Sequence, residues 1–455
     1  MIEESYFQKK VHDNSTIVAI STPLIPAAIG IIRVSGSRTG EITKKLFKIK
    51  KSAIKHRYMT TSKAYDDKGN ILDECCFTYY KAPNSYTGED VLEIFCHGSI
   101  FILKTLVEQI TKEDGCRLAK NGEFTQRAFL NGKMPLSKAE SIVDIIESNS
   151  KASHTIALNQ YMGHVYKIIE KTRLDTMEVL QKIEATLEFP DDVGEIETTQ
   201  IEKNLSEIIG ELSPIIMASD YGTLLKKGIT YLIIGKPNVG KSSLLNQLSG
   251  ESRSIVSSEA GTTRDYIDLN IEYNGVLITL IDTAGIRNTE NSIEKEGIEK
   301  IRELANTADG YILIEDATDK TSAEIPSFFN SKKPILKVKN KSDLITIDKK
   351  KTNVTYTSCK TGHGLQELKE NLVSTFFDRN QYEPELMLCN IRQIAALKKA
   401  YQYIKTSKQL IEKKTSLDII SIELRDAIDQ LSDIMGDTFT EELLDGIFSK
   451  FCIGK

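Results

Sequence analysis

The sequence lacks the features that would place a protein in a membrane or in an oxidising compartment. No apolar run approaches the about 18 residues that a membrane-spanning helix requires. The opening residues, MIEESYFQKKVHDNS, carry acids and lack the apolar core of a secretory signal. The seven cysteines are odd in number and form no Cys-x-x-Cys pair, which favours reduced thiols. We therefore expect a soluble, cytoplasmic protein with no membrane partner.

An excess of positive charge is also missing. The chain has 59 Lys and Arg against 64 Asp and Glu, a net charge of −5, so any RNA contact would need a local basic patch. One candidate is KIKKSAIKHR, near residue 50. The other is a helical stretch with Lys398, Lys399, Lys405, Lys408, Lys413 and Lys414 interleaved with Tyr401 and Tyr403. Each patch either follows RNA phosphates or is simply a solvated face, and the sequence does not choose.

The 455 residues divide into segments that differ in their pattern of apolar residues. Short β-branched runs such as STIVAIST and VLEIFCHGS predict an N-terminal α+β unit. A helical pattern follows, with Met177, Leu180, Ile183 and Leu187 on one face, and it returns near the end with Ile420, Leu424, Ile428, Leu431 and Met435. Between them, ITYLIIG, LITLIDTAG, GYILIEDAT and PILKVKN alternate with helices as in a parallel α/β sheet.

The simplest organisation is an α/β domain inserted into a helical domain, whose two halves pack together. The fold class is therefore multidomain α/β and α. We place the N-terminal domain at 1–125, the first helical half at 126–222, the inserted α/β domain at 223–380 and the second helical half at 381–455.

The inserted domain carries the motifs of a nucleotide site. GKPNVGKS, residues 235–242, follows an apolar strand and opens a helix, which is the context of a P-loop. Its backbone N–H groups would cradle phosphates, Lys241 would neutralise charge on them and Ser242 would bind Mg²⁺. The P-loop residues expected at the nucleotide are Asn238, Val239, Gly240, Lys241, Ser242 and Ser243.

Four further motifs follow in order. GTTRD offers Thr263 as a second hydroxyl for Mg²⁺, and DTAG offers Asp282, Thr283, Ala284 and Gly285. NKSD provides Asn340, Lys341 and Asp343, and SCK provides Ser358, Cys359 and Lys360 for the base. Because the Asp343 carboxylate can accept two hydrogen bonds from guanine but not from adenine, the predicted nucleotide is GTP.

One expected residue is absent from this site. In Ras-like GTPases a glutamine after Asp-x-x-Gly orients the attacking water, whereas this chain has Ile286. Asn238 is either a turn-forming residue or a ligand for a monovalent cation, which would stabilise the transferring phosphoryl group. A carboxylate would then have to position the water. The nearby candidates are Glu290, Glu294, Glu296 and Glu299, among which residue chemistry alone does not decide.

Several long stretches resemble the MnmE (TrmE) family of tRNA-modification GTPases. The matching stretches are IGIIRVSG, PNSYTGEDVLEIFCHG, GEFTQRAFLNGKMPLSKAESIVDII, GKPNVGKSSLLN, AGTTRD, IDTAGIR, IEKEGIEK and GIFSKFCIGK. The resemblance implies a K⁺-dependent GTPase with a Ras-like G domain and a homodimer formed across the nucleotide faces. It implies that Glu294 orients the water and that Asn238, Ser257, Glu259 and Thr262 surround K⁺, with Ser257 and Thr262 also at the nucleotide.

The resemblance also implies a function for the N-terminal unit, namely folate binding. Arg33, Glu93, Lys133 and Lys455 match contact positions for a reduced folate, either 5-formyl- or methylene-tetrahydrofolate. The sequence departs from the family in TPLIPAAIG, where two prolines in the loop 22–29 replace a glycine-rich stretch. Cys452, in the terminal FCIGK, is either a small buried hydrophobe or a reactive thiol that takes part in the modification.

The activity implied by the resemblance joins these sites. Together with the flavoprotein MnmG, the protein would install an aminomethyl or carboxymethylaminomethyl group at C5 of the wobble uridine of certain tRNAs, with folate as one-carbon carrier. One alternative is a ribosome-assembly GTPase of the Era type, which shares the nucleotide motifs but usually carries an RNA-binding appendage. The other is an aminomethyltransferase with a regulatory GTPase.

Overall fold

The structure is a computed structural model of the 455-residue chain. It describes residues 14–189, 197–251, 268–282, 294–319, 325–326, 329–346, 354–377, 383–436 and 440–455. The chain forms two compact units. The first, called the N-terminal unit, joins residues 1–143 with residues 432–455, and the second, called the central unit, comprises residues 144–431.

The N-terminal unit contains one mixed sheet with helices packed on it. Its elements are β1 (Thr16–Ile20), β2 (Ala27–Ser35), α1 (Thr39–Phe47), β3 (Thr60–Tyr65), β4 (Ile71–Tyr80), β5 (Val91–Gly98), α2 (Ile100–Thr111), β6 (Cys116–Leu118), α3 (Glu123–Leu130) and, near the end of the chain, α13 (Glu441–Phe448). Within the described residues the strand order is β3-β4-β5-β2-β1-β6, antiparallel except for the β1–β6 pair. The strands predicted around STIVAIST, IGIIRVSG and VLEIFCHGS are confirmed.

Alternation of apolar side chains builds the core of this unit. Ile32, Val34, Leu92 and Ile94 point to one face of the sheet and are fully buried against helix α2. Gly30 lies opposite Leu103 of that helix, and a Cβ atom there would come within 2.8 Å of the leucine side chain. The central pair, β2 and β5, is therefore fixed in register, which places Arg33 directly opposite Glu93.

Long helices begin the central unit and return at its end. They are α4 (Leu136–Glu147), α5 (Lys151–Met162), α6 (His164–Glu188), α7 (Thr198–Lys227), α11 (Ile391–Glu412) and α12 (Leu417–Met435), of which α4 and α12 continue into the N-terminal unit. Helix α11 packs on α7, and Tyr166 of α6 donates to Gln393 of α11 at 3.0 Å. The predicted packing of the two helical halves is confirmed.

The inserted α/β domain lies between these helices in the chain. It consists of β7 (Ile229–Ile234), α8 (Lys241–Glu251), β8 (Asp268–Tyr273), β9 (Val276–Asp282), α9 (Glu294–Thr307), β10 (Gly310–Asp316), β11 (Ile335–Asn340), β12 (Thr355–Tyr356) and α10 (Leu365–Ser374). Among the described strands the order is β12-β11-β10-β7-β9-β8, and only the β8–β9 pair is antiparallel. The expectation of a parallel sheet is thus correct except at the β8 edge.

A tight turn of this domain contacts the helices, and a polar cluster links α4 and α7 to the segment before α11. The β8–β9 hairpin turns at Asn274 and Gly275, both with positive φ, and Gly275 O accepts from Ala152 N at 2.8 Å. Lys226 lies 2.5 Å from Asp144, whose carboxylate also accepts from the Cys389 thiol. Among the described residues, no helix is both long enough and apolar enough to cross a membrane.

Candidate functional sites

The loop after β7 has the geometry of a phosphate-binding loop. Gly235 must lack a side chain, because a Cβ atom there would lie 2.4 Å from Ile314 O on the neighbouring strand. The loop then enters α8, whose first residue, Lys241, is buried. The Lys241 ammonium donates to the carbonyl oxygens of Gly235 and Lys236 at 2.9 Å each. The cation is therefore fixed inside the loop, close to the backbone that would meet the phosphates.

A buried asparagine from another strand stabilises this loop. Asn340, which ends β11 and is 2% exposed, donates from Nδ2 to Val239 O at 3.0 Å. Gly240 has φ = +95°, and a Cβ atom at this position would lie 2.2 Å from the Asn340 amide nitrogen. Asn340, the first residue of NKSD, thus supports the phosphate loop, in addition to its predicted role near the base.

The two loops expected at the base are held together by side-chain hydrogen bonds. Ser358 donates to Asp343 Oδ1 at 2.6 Å, and this bond holds the pKa of Asp343 below its usual value. Lys341 lies 2.6 Å from Asp316, and burial raises the pKa of the Cys359 thiol. Asp343 is exposed and keeps a second carboxylate oxygen for a ligand. Lys360 is exposed beside it and also lowers the pKa of Asp343.

Other predicted residues lie around the phosphate loop. Asn238 is exposed and has φ = +63°, a conformation that asparagine tolerates better than most residues. Ser242 and Ser243 are exposed in the first turn of α8, while Asp282 is buried at the end of β9. A hydroxyl and a carboxylate are oxygen ligands of the kind Mg²⁺ prefers.

Some predicted site residues lie in parts of the chain that the structure does not describe. The residues outside the described ranges are Ser257, Glu259, Thr262, Thr263, Thr283, Ala284 and Gly285. The backbone of Glu294 begins α9, but its side chain is outside the description as well. The roles of these residues stay predictions.

A second candidate site lies on the N-terminal sheet, around Arg33. The guanidinium donates to Glu93 Oε1 from Nη2 at 2.8 Å and from Nε at 3.0 Å. Two aromatic rings face it, Tyr86 at 5.4 Å and Phe124 at 5.7 Å from the ring centroids. The site combines a charged, planar cation with apolar ring surface, which suits a planar and partly anionic molecule.

The last residues of the chain complete this second site. Gly454 O accepts from Arg33 Nη1 and from Ser21 Oγ, both at 3.2 Å. Lys455 is half-buried, and burial together with the charge of Arg33 lowers its pKa. The side chains of Arg33 and Lys455 thus supply two cations near the one carboxylate of Glu93. Their sum is positive, which fits an anionic ligand group.

The remaining predicted residues of this unit are placed differently. Lys133 is exposed, and its ammonium donates to Pro83 O at 2.9 Å rather than to Arg33 or Glu93. Cys452 is exposed as well, so the interpretation as a buried hydrophobe is wrong. In the loop 22–29, Pro23 and Pro26 are exposed, and Thr22 Oγ1 accepts from Ile31 N at 3.1 Å.

Sequence reasoning missed a buried ionic network that supports the Arg33 site. Arg127, with its side chain 4% exposed, pairs with Glu123 at 3.0 Å and with Glu89 at 3.1 Å. Burial would raise the pKa of Glu123, but the hydrogen bond from Arg117 and its other partners outweigh that effect and lower it. The network fixes the loop that carries Tyr86. Only the recurrence of charged residues within SYTGED and GEFTQRAF hinted at it.

The sheet order, the phosphate loop and the paired base loops define a P-loop GTPase of the Ras-like type. Comparison with known proteins gives two family matches, the MnmE helical domain over residues 136–452 and the N-terminus of the GTP-binding protein TrmE over residues 16–133.

Close relatives extend over almost the whole chain. The tRNA modification GTPase MnmE of Fervidobacterium nodosum is 42% identical over 97% of this chain and 98% of its own length. Those of Acetivibrio thermocellus and Aquifex aeolicus are each 38% identical, over 98% and 96% of this chain and 100% and 99% of their own lengths. The chain belongs to the MnmE family of tRNA modification GTPases. The predicted resemblance, multidomain fold class and GTP hydrolase class are confirmed.

Proposed function

We propose that this chain is a K⁺-dependent GTPase that acts with the flavoprotein MnmG on tRNA. The pair would install an aminomethyl or carboxymethylaminomethyl group at C5 of the wobble uridine, with a one-carbon unit from 5-formyl- or methylene-tetrahydrofolate. GTP hydrolysis in a homodimer would open and close the G domains and so gate the modification. The four-part division at residues 125, 222 and 380 and a cytoplasmic location belong to the same proposal.

The observation that carries the proposal is the positive cluster on the N-terminal unit. GTP hydrolysis by itself does not require this cluster. In it, Arg33 and Lys455 lie beside Glu93 and the Tyr86 ring. This cluster fits a molecule with a flat ring and a carboxylate tail, which is the chemistry of a reduced folate. Folate, when bound, supplies the one-carbon unit. The residues of this chain bind it, orient its ring and neutralise its tail.

Hydrolysis without the usual glutamine rests on a K⁺ ion and on Glu294 in this proposal. The ion would be surrounded by Asn238, Ser257, Glu259 and Thr262, and Glu294 would orient the water. Mg²⁺ would be held by Ser242 and Thr263, with Asp282 in the metal shell. The exposed amide of Asn238 in the phosphate loop is accessible to a cation. Its positive φ also explains an asparagine by backbone preference alone, so the two interpretations require a test.

The test is the initial rate of GTP hydrolysis in matched KCl and NaCl buffers at equal ionic strength. We expect K⁺ to accelerate the wild type, and we expect Asn238→Ala and Glu294→Ala each to abolish that acceleration. Asn238→Gly keeps the backbone conformation without the amide, and it should behave like the alanine variant. Equal rates of the wild type in both salts would show that Asn238 serves only the turn.

The folate site has its own test, which does not depend on hydrolysis. Titration of 5-formyl-tetrahydrofolate into the wild type should show binding, and Arg33→Gln should weaken it by about a hundredfold, since a charged hydrogen bond and a ring contact are both lost. Arg38→Gln removes an arginine of the same unit that pairs with exposed Glu41, outside both the cluster and its supporting network, and serves as the control. Unchanged affinity in Arg33→Gln would reject this ligand site.

Cys452 gives a third test of the proposal. The exposed thiol lies in the tail that meets Arg33 through Gly454, so a reactive role in modification is the remaining interpretation. Cys452→Ser should lower the modified fraction of tRNA in the reconstituted reaction with MnmG, with GTP hydrolysis as the reference reaction. Wild-type levels of modification in this variant would show that the thiol takes no part.

A further inference from the structure

The N-terminal unit has a strongly basic surface segment that neither proposed ligand site uses. Residues 44–57, KKLFKIKKSAIKHR, contain seven lysines and arginines and no acidic residue. We call the surface formed by six described cations of this region the basic ridge. Its members are Lys44, Lys48, Lys50, Lys55, Arg57 and Lys81.

Backbone contacts hold the basic ridge against the edge of the sheet. The segment leaves α1 at Lys48, in a left-handed conformation, and Arg57 N donates to Tyr79 O at 2.8 Å beside β4. Lys81 joins it from the far end of β4, since its backbone N–H donates to His56 Nδ1 at 2.9 Å. Lys48 lies at the turn between β3 and β4, where its ammonium donates to Gly69 O at 3.3 Å, whereas Arg57 and Lys81 lie at the other end of β4. The basic ridge therefore runs along the length of β4.

These cations have no ion-pair partner in the part of the chain that the structure describes. Among the described residues, none of the six lies within ion-pair distance of a carboxylate. Two carboxylates of this unit already have cationic partners, because Lys45 pairs with Glu113 and Lys112 pairs with Asp67. A row of unpaired cations costs little in water but repels itself, so its positive potential is available to a polyanion.

Aromatic rings are interleaved with the charges. The Lys48 ammonium lies 4.0 Å from the centroid of the Tyr65 ring, and the Lys55 ammonium lies 4.8 Å from that of Tyr58. Tyr58 is 57% exposed, so its outer face can stack on a base. A surface that combines phosphate-binding cations with an accessible ring has the chemistry of an RNA-binding face.

The other basic patch of the sequence, on α11, is organised differently. Lys398 pairs with Asp220 at 2.6 Å, and Lys408 pairs with Glu412 at 3.8 Å. Tyr401 is half-buried, and its hydroxyl accepts from Ser213 at 3.3 Å. Part of the charge is thus neutralised and this ring is engaged, which favours the basic ridge over α11.

The position of the basic ridge links it to the Arg33 site. Arg57 donates from Nη2 to Asn84 O at 3.3 Å, and Asn84 lies in the same loop as Tyr86, the ring beside Arg33. The basic ridge and the candidate one-carbon site therefore lie at the two sides of one short loop. A polynucleotide held on the basic ridge would have its bases close to that site.

We propose that the basic ridge binds the phosphate backbone of the tRNA substrate and that helix α11 does not. This inference rests on the proposed function, since it identifies where that function's RNA substrate binds. It assigns the contact to phosphates and one exposed ring, so it predicts strong salt dependence rather than sequence specificity.

The test compares two triple variants of the full-length protein with equal loss of charge. The first, Lys48→Gln/Lys55→Gln/Arg57→Gln, removes three cations of the basic ridge. The second, Lys399→Gln/Lys405→Gln/Lys413→Gln, removes two from α11 and one from the residue that caps its C-terminus. Fluorescence anisotropy of labelled tRNA is followed over a series of NaCl concentrations. We expect the first variant to bind about tenfold or more weakly at low salt, with the slope of log affinity against log salt reduced by about two or three. The second should bind within about twofold of the wild type.

Other outcomes would overturn the inference in distinct ways. An equal loss in both variants would mean that net charge alone matters, and a loss only in the second would move the site to α11. Full tRNA affinity with weaker binding to MnmG would make the basic ridge a protein-docking surface. A wild type that binds no tRNA at any salt would reject the proposed function itself. Circular dichroism checks folding, and Lys48→Gln/Lys55→Gln/Lys81→Gln, which leaves the Arg57–Asn84 bond intact, replaces the first variant if that one unfolds.

Discussion

The phosphate loop and the Arg33 cluster are built in opposite ways. Most of the phosphate loop is one continuous stretch, residues 235–243, in which backbone groups and a single buried ammonium form the site. The Arg33 cluster combines side chains from β2, β5, a loop and α3 with the carbonyl of Gly454, far away in sequence. Contiguous backbone sites can be read from a sequence, whereas clusters of distant side chains become visible only in the fold.

The variant with the largest expected effect on this contrast is Lys241→Ala. The ammonium is the one side-chain cation seated inside the phosphate loop among the described residues, and its loss should slow GTP hydrolysis by about a hundredfold or more. Lys236→Ala, in the same loop, removes an exposed lysine paired with Asp319 at 3.3 Å, and its rate should stay within about twofold. Equal losses in the two variants would mean that position inside the loop does not matter.

The next test concerns the base. Asp343→Ala removes the acceptor that distinguishes guanine from adenine, so the ratio of GTP to ATP affinity should fall by about a hundredfold. Competition binding with both nucleotides measures the ratio, and Glu367→Ala, an exposed carboxylate on α10, is the control. Retained preference for GTP would place base recognition elsewhere.

A substitution in the Arg33 cluster should change the stability of the protein rather than its rate of GTP hydrolysis. Glu93→Gln leaves Arg33 and Lys455 without their carboxylate, which should lower the free energy of unfolding by about 2 kcal/mol. This is less than for a fully buried pair, because the side chains of Arg33 and Glu93 are 16% and 17% exposed. Hydrogen exchange of amides at the chain end should then become about thirtyfold faster. Glu74→Gln, exposed opposite Lys63, should change little, and equal protection in both variants would contradict the expected coupling.

The smallest effect is a shift in pH dependence. Ser358 holds the pKa of Asp343 low, so Ser358→Ala should raise it. Guanine recognition needs the charged carboxylate, which is lost as the pH falls through the pKa of Asp343. The acid limb of GTP affinity should therefore move to higher pH in the variant, while affinity at neutral pH stays nearly constant. An unmoved acid limb would show that the hydrogen bond does not control this titration.

The predictable parts of the fold were those set by local patterns. Buried strands such as β7 and β10 are continuous apolar runs, and the stripe from Ile420 to Leu431 is buried as its spacing predicted. The expectation that Leu187 would be buried with Leu180 and Ile183 was wrong, because it lies at the end of α6 and is exposed. The antiparallel β8 edge was missed, since alternation in one strand carries no information on the direction of its partner.

The candidate sites divide along the same line. The phosphate loop followed from GKPNVGKS, but nothing local predicted that Asn340 would support it from another strand. The interpretation of Cys452 as a small buried hydrophobe was wrong, because the exposure of a side chain near a chain end depends on how that end packs on the rest of the fold. Glu93 and Lys455 were named only through resemblance, and the Tyr86 and Phe124 rings beside Arg33 were not predicted.

The contacts of Gly454 with Ser21 and Arg33 determine when, during synthesis, the Arg33 cluster can form. The first strands of the N-terminal unit emerge from the ribosome early, whereas their last contacts belong to the final residues of the chain. At synthesis rates of about 5–20 residues per second, the roughly 300 residues after Val143 require about 15–60 seconds. During that interval the sheet must persist without its closing segment while the whole central unit is made. The Arg33 cluster is therefore assembled only after the GTPase domain has been synthesised.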